Sequence, residues 1–286
     1  MQVYDSADVS SMVPDSASAL LDDLRRRASL VRYDLACAGA GIVLVLLFLS
    51  IGWTAVAIGA GVAAALGFIV LAVWIAGQRT IRVDVDMDDE YAVAYRDLIR
   101  AFERLSSAGA VWNLESSQQT LDARRRSGAM LSISRRRVSP RRGLPPYYAS
   151  NIIPPMMPAG RQNLFFLPDF LLVVEGNQFG AVEYPDLIVE VEPIVMIERD
   201  GVPRDAKTVG QTWEYVNKDG SPDRRYRHNP QWPVVEYVQV RLRSESGLHE
   251  VFLTSSAQVA HRFAEALKGM ADVGAATDNQ AATAPG

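Results

Sequence analysis

Apolar positions recur along this chain in three rhythms, and each rhythm predicts a different kind of element. From Ala19, the residues Leu20, Leu21, Leu24, Ala28 and Val31 fall at helical spacing behind Ser18, a candidate N-cap. Over residues 35–78 the rhythm stops: 44 consecutive residues hold no Asp, Glu, Lys, Arg or His. As one helix that run would be about 66 Å long, against a hydrocarbon core of about 30 Å. Residues 50–54 (SIGWT) offer a break, so two membrane-spanning helices are expected, over 35–51 and 54–76. Farther on, Tyr91, Tyr95, Leu98, Phe102 and Leu105 share one face of a predicted helix. Asp86, Asp88, Asp89 and Glu90 complement its positive end, and Gly109 is its expected stop. That face is expected to pack on the domain that follows, since two heptads are short for a coiled coil.

From residue 163 the period becomes two. NLFFL, DFLLVVE, FGAVEY and LHEVFLT read as strands, DLIVEVEPIVMIE as a strand pair, and VVEYVQVRLRS as a strand with Val238, Val240 and Leu242 on one face. AVWNLESS and AMLSIS are shorter candidates upstream. A last helix begins after Ser255 or Ser256 and buries Val259, Phe263, Leu267 and Met270. The predicted fold class is α+β: a two-helix transmembrane hairpin, then a helix, then a small pleckstrin-homology-like (PH-like) β-barrel or sandwich closed by the C-terminal helix. The expected divisions are a cytoplasmic N-terminal segment with a short amphipathic helix along the membrane surface (1–33), the hairpin (34–78), a connecting amphipathic helix (79–109), an Arg-rich and Pro-rich connector with short strands (110–162), the PH-like domain (163–272) and a disordered tail (273–286).

Charge sets the expected topology. Arg25, Arg26, Arg27 and Arg32 precede the charge-free run, and Arg79 and Arg82 follow it. Both termini are therefore expected in the cytoplasm, in a multi-pass protein of the bacterial inner membrane. No ionisable group lies inside the run, which suits an anchor rather than a transport path. Gly59, Ala63 and Gly67 have the small-xxx-small spacing that lets helices approach closely, against the other span or a second copy. The single cysteine, Cys37, excludes an intrachain disulfide and suits a reducing compartment.

The candidate chemistry is sparse. His228, His249 and His261 are scattered, and no HExxH, P-loop, GxGxxG or GxSxG motif occurs. No catalytic residue, metal site or cofactor is predicted. Residues 124–142 hold eight arginines and no acid: Arg124, Arg125, Arg126, Arg135, Arg136, Arg137, Arg141 and Arg142. This basic stretch reads first as a solvated loop; anionic lipid headgroups, an acidic partner or the chain's own acidic β region are the alternatives, and its few aromatics argue against nucleic acid. Residues 143–286 carry 12 Lys and Arg against 18 Asp and Glu, so the β region as a whole is acidic. Residues 212–233 (TWEYVNKDGSPDRRYRHNPQWP) combine turn formers with aromatics and arginines. Their candidate binding residues are Trp213, Tyr215, Asn217, Lys218, Asp223, Arg224 and Arg225; a purely structural loop is the competing reading.

The stretches LFFLPDFLLV, GAVEYPDL, TWEYVNKDGSPDRRYRHN and SESGL resemble a family of bacterial proteins of uncharacterised activity that carry a TW-YVNK-GGPDRRF--N pattern. Ser221 stands at its second Gly and Tyr226 at its Phe. A weaker, fold-level likeness is to bacterial PH-like domains. The resemblance implies no reaction. The function expected from sequence is a non-enzymatic binding or scaffolding module, held at the membrane through hairpin–lipid contacts, with an unidentified protein partner and possible self-association. The alternative is a hydrolase or nuclease using the Asp residues of the 212–233 loop.

Overall fold

The computed structural model describes residues 2–4, 6–29, 43, 50, 58–59, 61–63, 65–70, 80–85, 89–120, 130–217 and 219–283. The elements run β1 (Gln2–Val3), two 3-10 turns (Val9–Ser11 and Asp15–Ala17), α1 (Ser18–Ala28), β2 (Ile81–Val83), α2 (Asp89–Ser106), β3 (Val111–Thr120), β4 (Met130–Arg137), β5 (Arg141–Arg142), β6 (Tyr148–Ser150), β7 (Pro155–Ala159), β8 (Gln162–Phe166), β9 (Phe170–Glu175), β10 (Gln178–Glu183), β11 (Ile188–Ile197), β12 (Lys207–Trp213), β13 (Gln231–Arg243), β14 (His249–Thr254) and α3 (Ala257–Thr283). The chain divides into two compact units, one of Met1–Leu21, Val85–Leu144 and Ile152–Gly286, the other of Asp22–Asp84 and Pro145–Asn151.

Turn chemistry builds the first sheet of the larger unit. Gly160 and Gly176 adopt φ of 58° and 59°, a conformation costly for other residues, and they close the β7–β8 and β9–β10 hairpins. The result is a five-stranded antiparallel meander in the order β10-β9-β8-β7-β5. The second sheet has seven strands and a far less local path, β1-β3-β14-β13-β11, with β4 also on β3 and β12 also on β13. Period-2 alternation gives this sheet two apolar faces. Val111, Val238, Val240, Leu242 and Phe252 join the main core, with Leu164, Phe166, Leu171, Val173 and Val182 of the meander. Tyr95, Leu98, Phe102 and Leu105 of α2, and Phe263, Leu267 and Met270 of α3, complete it. Two tyrosines reach this core with their hydroxyls satisfied: Tyr95 donates to the Phe166 carbonyl at 3.0 Å and Tyr184 to that of Leu167 at 2.6 Å. The opposite face carries a smaller cluster, including Trp112, Leu114, Val235, Tyr237, Val251 and Leu253.

The N-terminal segment, polar by composition, is stitched into both sheets. β1 pairs with β3, the Ala7 N–H donates to Gly247 and the Ala181 N–H to Met12. Val9, Met12, Ala17, Leu21 and Leu24 are fully buried. The apolar stripe of α1 is thus covered by protein, which corrects the expectation that it lies on a membrane surface. Gly109 does not end α2, which stops at Ser106; its N–H donates to the Asp205 carboxylate at 2.8 Å.

Two larger expectations are corrected. First, no helix among the described residues is long and apolar enough to cross a membrane. Most of residues 34–78, where the hairpin is expected, lie outside the described residues. The transmembrane hairpin, and the multi-pass inner-membrane location and topology derived from it, are therefore not carried forward. Gly59, Ala63 and Gly67 are helical and exposed, and a Cβ at either glycine would meet nothing within 4 Å. Second, the β region is not a small PH-like barrel closed by a helix. β1, β3 and β4, all from before residue 163, supply three of the seven strands, and a separate five-stranded sheet stands beside them. The edge strands β4 and β11 are not hydrogen-bonded to each other, so the sheet stays open. In the smaller unit, β2 and β6 pair in parallel. There Arg27 also donates to the Thr80 carbonyl at 3.2 Å.

Candidate functional site

β13 extends beyond the core. Its inward row of Leu242, Val240 and Val238 continues as Glu236, Val234 and Trp232, flanked in register by Val195 and Ile197 of β11 and by Lys207, Gly210 and Thr212 of β12. The core positions of this row are buried, but Val234, Trp232 and Ile197 are partly exposed and Val195 is 51% exposed. The outer halves of these three strands form a wing, and the 212–233 loop is its tip.

The loop is held from inside. Glu214 N–H donates to the Pro230 carbonyl at 2.9 Å, and the Asn229 side chain clamps Tyr215 on both sides, accepting its N–H at 2.8 Å and donating to its carbonyl at 2.7 Å. Asn217 donates to the Ser221 hydroxyl at 2.9 Å and the Pro222 carbonyl at 3.2 Å. Asp219 accepts from the Ser221 hydroxyl and N–H. Gly220, at φ 84°, makes the reversal between them. Tyr215 and Tyr226 stack with centroids 3.8 Å apart and planes 9° apart. The Asp223 carboxylate is turned inward and takes the Arg225 Nε at 2.9 Å, its Nη2 at 2.5 Å and its backbone N–H at 3.0 Å. The Arg225 side chain, then its N–H, hold Asp223 below the usual carboxylate range against the opposing effect of burial. Hydrogen bonds from Ser221 likewise lower Asp219.

Of the predicted loop residues, Trp213 and Tyr215 are half-buried, Asn217, Arg224 and Arg225 are exposed, Asp223 is buried, and Lys218 lies outside the described residues. Tyr226, Arg227 and His228, not singled out from sequence, are exposed beside them. The basic surface is divided. Arg124, Arg125 and Arg126 lie outside the described residues. Arg136 pairs with Glu115 at 2.7 Å, Arg137 donates to the Gly109 carbonyl and Arg142 to that of Ile153, and Arg141 is exposed.

Arg135 takes a different role. It shares the β3–β4 face with Leu114 and roofs the smaller cluster, its guanidinium 4.5 Å from the Trp112 ring centroid. Its Nη2 lies 2.8 Å from both oxygens of Glu198, one residue past β11. Glu198 is 1% exposed and also accepts from the Tyr237 hydroxyl at 2.6 Å and from the Arg199 and Asp200 N–H groups at 3.1 Å. Burial pushes the Glu198 carboxyl up, and the Tyr237, Arg135 and Asp200 hydrogen bonds more than offset it, leaving it below its ordinary range. Burial, then the Glu198 hydrogen bond, raises Tyr237. This clasp joins β4 to the end of β11, two of the sheet's edge strands. Nothing in the sequence links residues 135, 198 and 237; Arg135 and Glu198 each follow an apolar alternation, and Tyr237 lies within β13.

A third polar group lies on the core face. Asn113 donates to Glu250 at 3.0 Å, and Ser6 donates to the same carboxylate at 2.9 Å. Gln162 donates to Glu175 at 3.2 Å, and its oxygen is buried without a partner. The cavity there is about 230 Å³. Among the described residues no group of three or more His, Cys, Asp or Glu is placed to hold a metal ion. Comparison with family models, curated proteins and solved structures returns no match for this chain.

Proposed function

We propose that the chain is a non-catalytic binding module that docks a partner protein on the wing and its 212–233 tip. The observation that carries this reading is the division of labour within the loop. Its carboxylates and amides, and Arg225 through Asp223, are consumed in fixing the backbone, while Arg224, Tyr226, Arg227 and His228 are exposed on that fixed frame. Loops on rigid scaffolds are the usual carriers of binding, and Tyr, Trp and Arg are the residues that interfaces favour. A preformed loop also loses little conformational entropy on association. The half-exposed Val195, Ile197 and Val234 supply apolar area next to it. The hydrolase alternative is disfavoured by Asp223, whose carboxylate faces inward and is occupied by Arg225.

The test places a photocrosslinking residue at Tyr226, with Arg161 as the control position. A partner adduct at 226 that disappears in the Arg224→Glu/Arg227→Glu variant, at unchanged melting temperature, supports the module. Adducts equal at both positions refute it. Metal-dependent hydrolysis that Asp223→Ala abolishes without loss of stability would reinstate the enzyme.

A further inference from the structure

The inward rows of four strands in the larger unit end in polar residues. On β3, Val111 is followed at alternate positions by Asn113 and Glu115, and on β14, Phe252 is preceded by Glu250. On the meander, Phe166 and Leu164 of β8 give way to Gln162, and Leu171 and Val173 of β9 to Glu175. Alternation puts all of these polar side chains on the faces that elsewhere build the main core. They meet around the cavity of about 230 Å³, with Tyr4, Gly160, Arg136 and Arg161 also in its wall. Asn113, Gln162 and Glu250 are at most 5% exposed. Burying such groups costs more than an apolar filling would, and a buried polar atom left unpaired marks the place of a water, an ion or a ligand.

Donors and acceptors are unequally used there. The Gln162 amide is oriented by its Nε2, which donates to Glu175 at 3.2 Å, and its Oε1 is left buried with no hydrogen-bond partner among the described residues. Asn113 uses its Nδ2 on Glu250 at 3.0 Å and on the Val251 carbonyl at 3.3 Å. Its Oδ1 is the other end of the amide and lies 3.8 Å from where a Gly160 Cβ would stand. The Glu250 carboxylate accepts from Ser6 and Asn113. The guanidinium groups of the wall are engaged, Arg136 with Glu115 at 2.7 Å and Arg161 with Glu175 at 3.3 Å.

We propose that this cavity binds a small primary ammonium compound, whose N–H groups donate to Gln162 Oε1, Asn113 Oδ1 and the Glu250 carboxylate. An ammonium carries three donors and no acceptor, which matches acceptor groups whose own amide donors are already used. Glu115, Glu175 and Glu250 against Arg136 and Arg161 leave the lining net negative, which favours a cation. A divalent metal fits worse. Calcium takes about six or more oxygens, and no group of three or more His, Cys, Asp or Glu among the described residues is placed to hold a metal. One ordered water needs only about 10–15 Å³, so a single water does not fill this space. The cavity is separate from the wing, and this reading does not depend on docking there.

The experiment titrates the whole chain with propylammonium and follows the side-chain amide signals of Gln162 and Asn113 by NMR. Propanol and propionate keep its shape without its charge, and calcium chloride is the metal arm. Saturable movement of both amide signals is expected, with propanol roughly tenfold weaker or more and propionate inactive. Gln162→Met keeps the length but removes the unpaired oxygen. It should hold or raise the melting temperature while weakening propylammonium roughly tenfold at the Asn113 signal. Glu250→Gln should weaken binding as well, and Glu265→Gln, exposed on α3, should not. No saturable movement, equal binding of propanol or calcium, or a Gln162→Met variant that binds as the parent does overturns the proposal. A loss in Glu265→Gln as large as that in Gln162→Met also overturns it.

Discussion

Replacing Glu198 with Gln should be among the most damaging single-atom changes possible in this chain. The carboxylate is 1% exposed, and the Arg135 side chain is 14% exposed. Gln keeps the shape and one acceptor oxygen but removes the charge, so the buried Arg135 keeps only the exposed Asp200 carboxylate, at 3.9 Å, as a counter-ion. Breaking such a pair from one side costs about 3–5 kcal/mol. The retained oxygen and the persisting stacking of Arg135 on Trp112, worth about 0.5–2 kcal/mol, place the expected loss near the lower end, about 3 kcal/mol. Tyr237→Phe removes one hydrogen bond to a charged acceptor and should cost about 1.5–3 kcal/mol. Removing both charges with Arg135→Leu/Glu198→Leu should cost less than Glu198→Gln alone, because no buried charge is left over. Urea unfolding followed by tryptophan fluorescence reads all four proteins. The same group predicts a pH dependence. Glu198 sits below its ordinary range when folded, so its contribution is complete above the unfolded carboxylate pKa and is lost as pH falls through the folded value. The Gln variant should lack that part of the acid slope. A Glu198→Gln cost below about 1 kcal/mol, or a double variant at least as costly as Glu198→Gln alone, would refute the clasp.

Three further outcomes follow from packing and charge. Gly180→Ala would drive a methyl group into the Val9 carbonyl oxygen and against the Met12 side chain, and should cost about 1–3 kcal/mol in thermal or urea unfolding. Asn229→Ala removes both hydrogen bonds that clamp Tyr215, so the Tyr215 amide should exchange faster while the global stability falls by roughly 1–2 kcal/mol. Burial, then Arg243 and Arg241, hold His249 below its ordinary imidazole range. Its contribution is complete above the unfolded histidine pKa and declines as pH falls through the folded value, so His249→Gln should flatten stability between about pH 7 and the lower end of that range.

Local patterns in the sequence carried much of the middle of the chain. The turns at Pro168–Asp169 and Glu175–Asn177 separate β8, β9 and β10 as the alternation predicts, and the α2 and α3 stripes are buried where helical spacing puts them. The long apolar segment read as a strand pair is a single strand, β11, with Pro193 tolerated because the strand lies at an edge. What sequence could not show is pairing at long range. Val9 and Met12 look like residues of a loose polar segment, and it is their close packing on β10 at Gly180 that makes them core. The clasp was hidden for the same reason: Arg135 looked like one member of a basic run, and its ion-pair partner Glu198 lies 63 residues away. In the loop the turn formers and the Asp223–Arg225 pairing were legible. The outward-facing members, Tyr226, Arg227 and His228, depend on which side chains the internal bonds consume.

The order in which the strands join has a consequence for synthesis. The meander from β7 to β10 pairs neighbours across short turns and can close as soon as residue 183 leaves the ribosome. β3 must wait for β14: its Val111 pairs with Thr254. At translation rates of about 5–20 residues per second, that delay is roughly 7–30 s. During it the apolar faces of β3 and β4 have no partner strands from the C-terminal half. β14 is the keystone that joins β3 to β13, so chains stopped before it should carry a finished meander and an unfinished sheet, the form that chaperones and proteases engage.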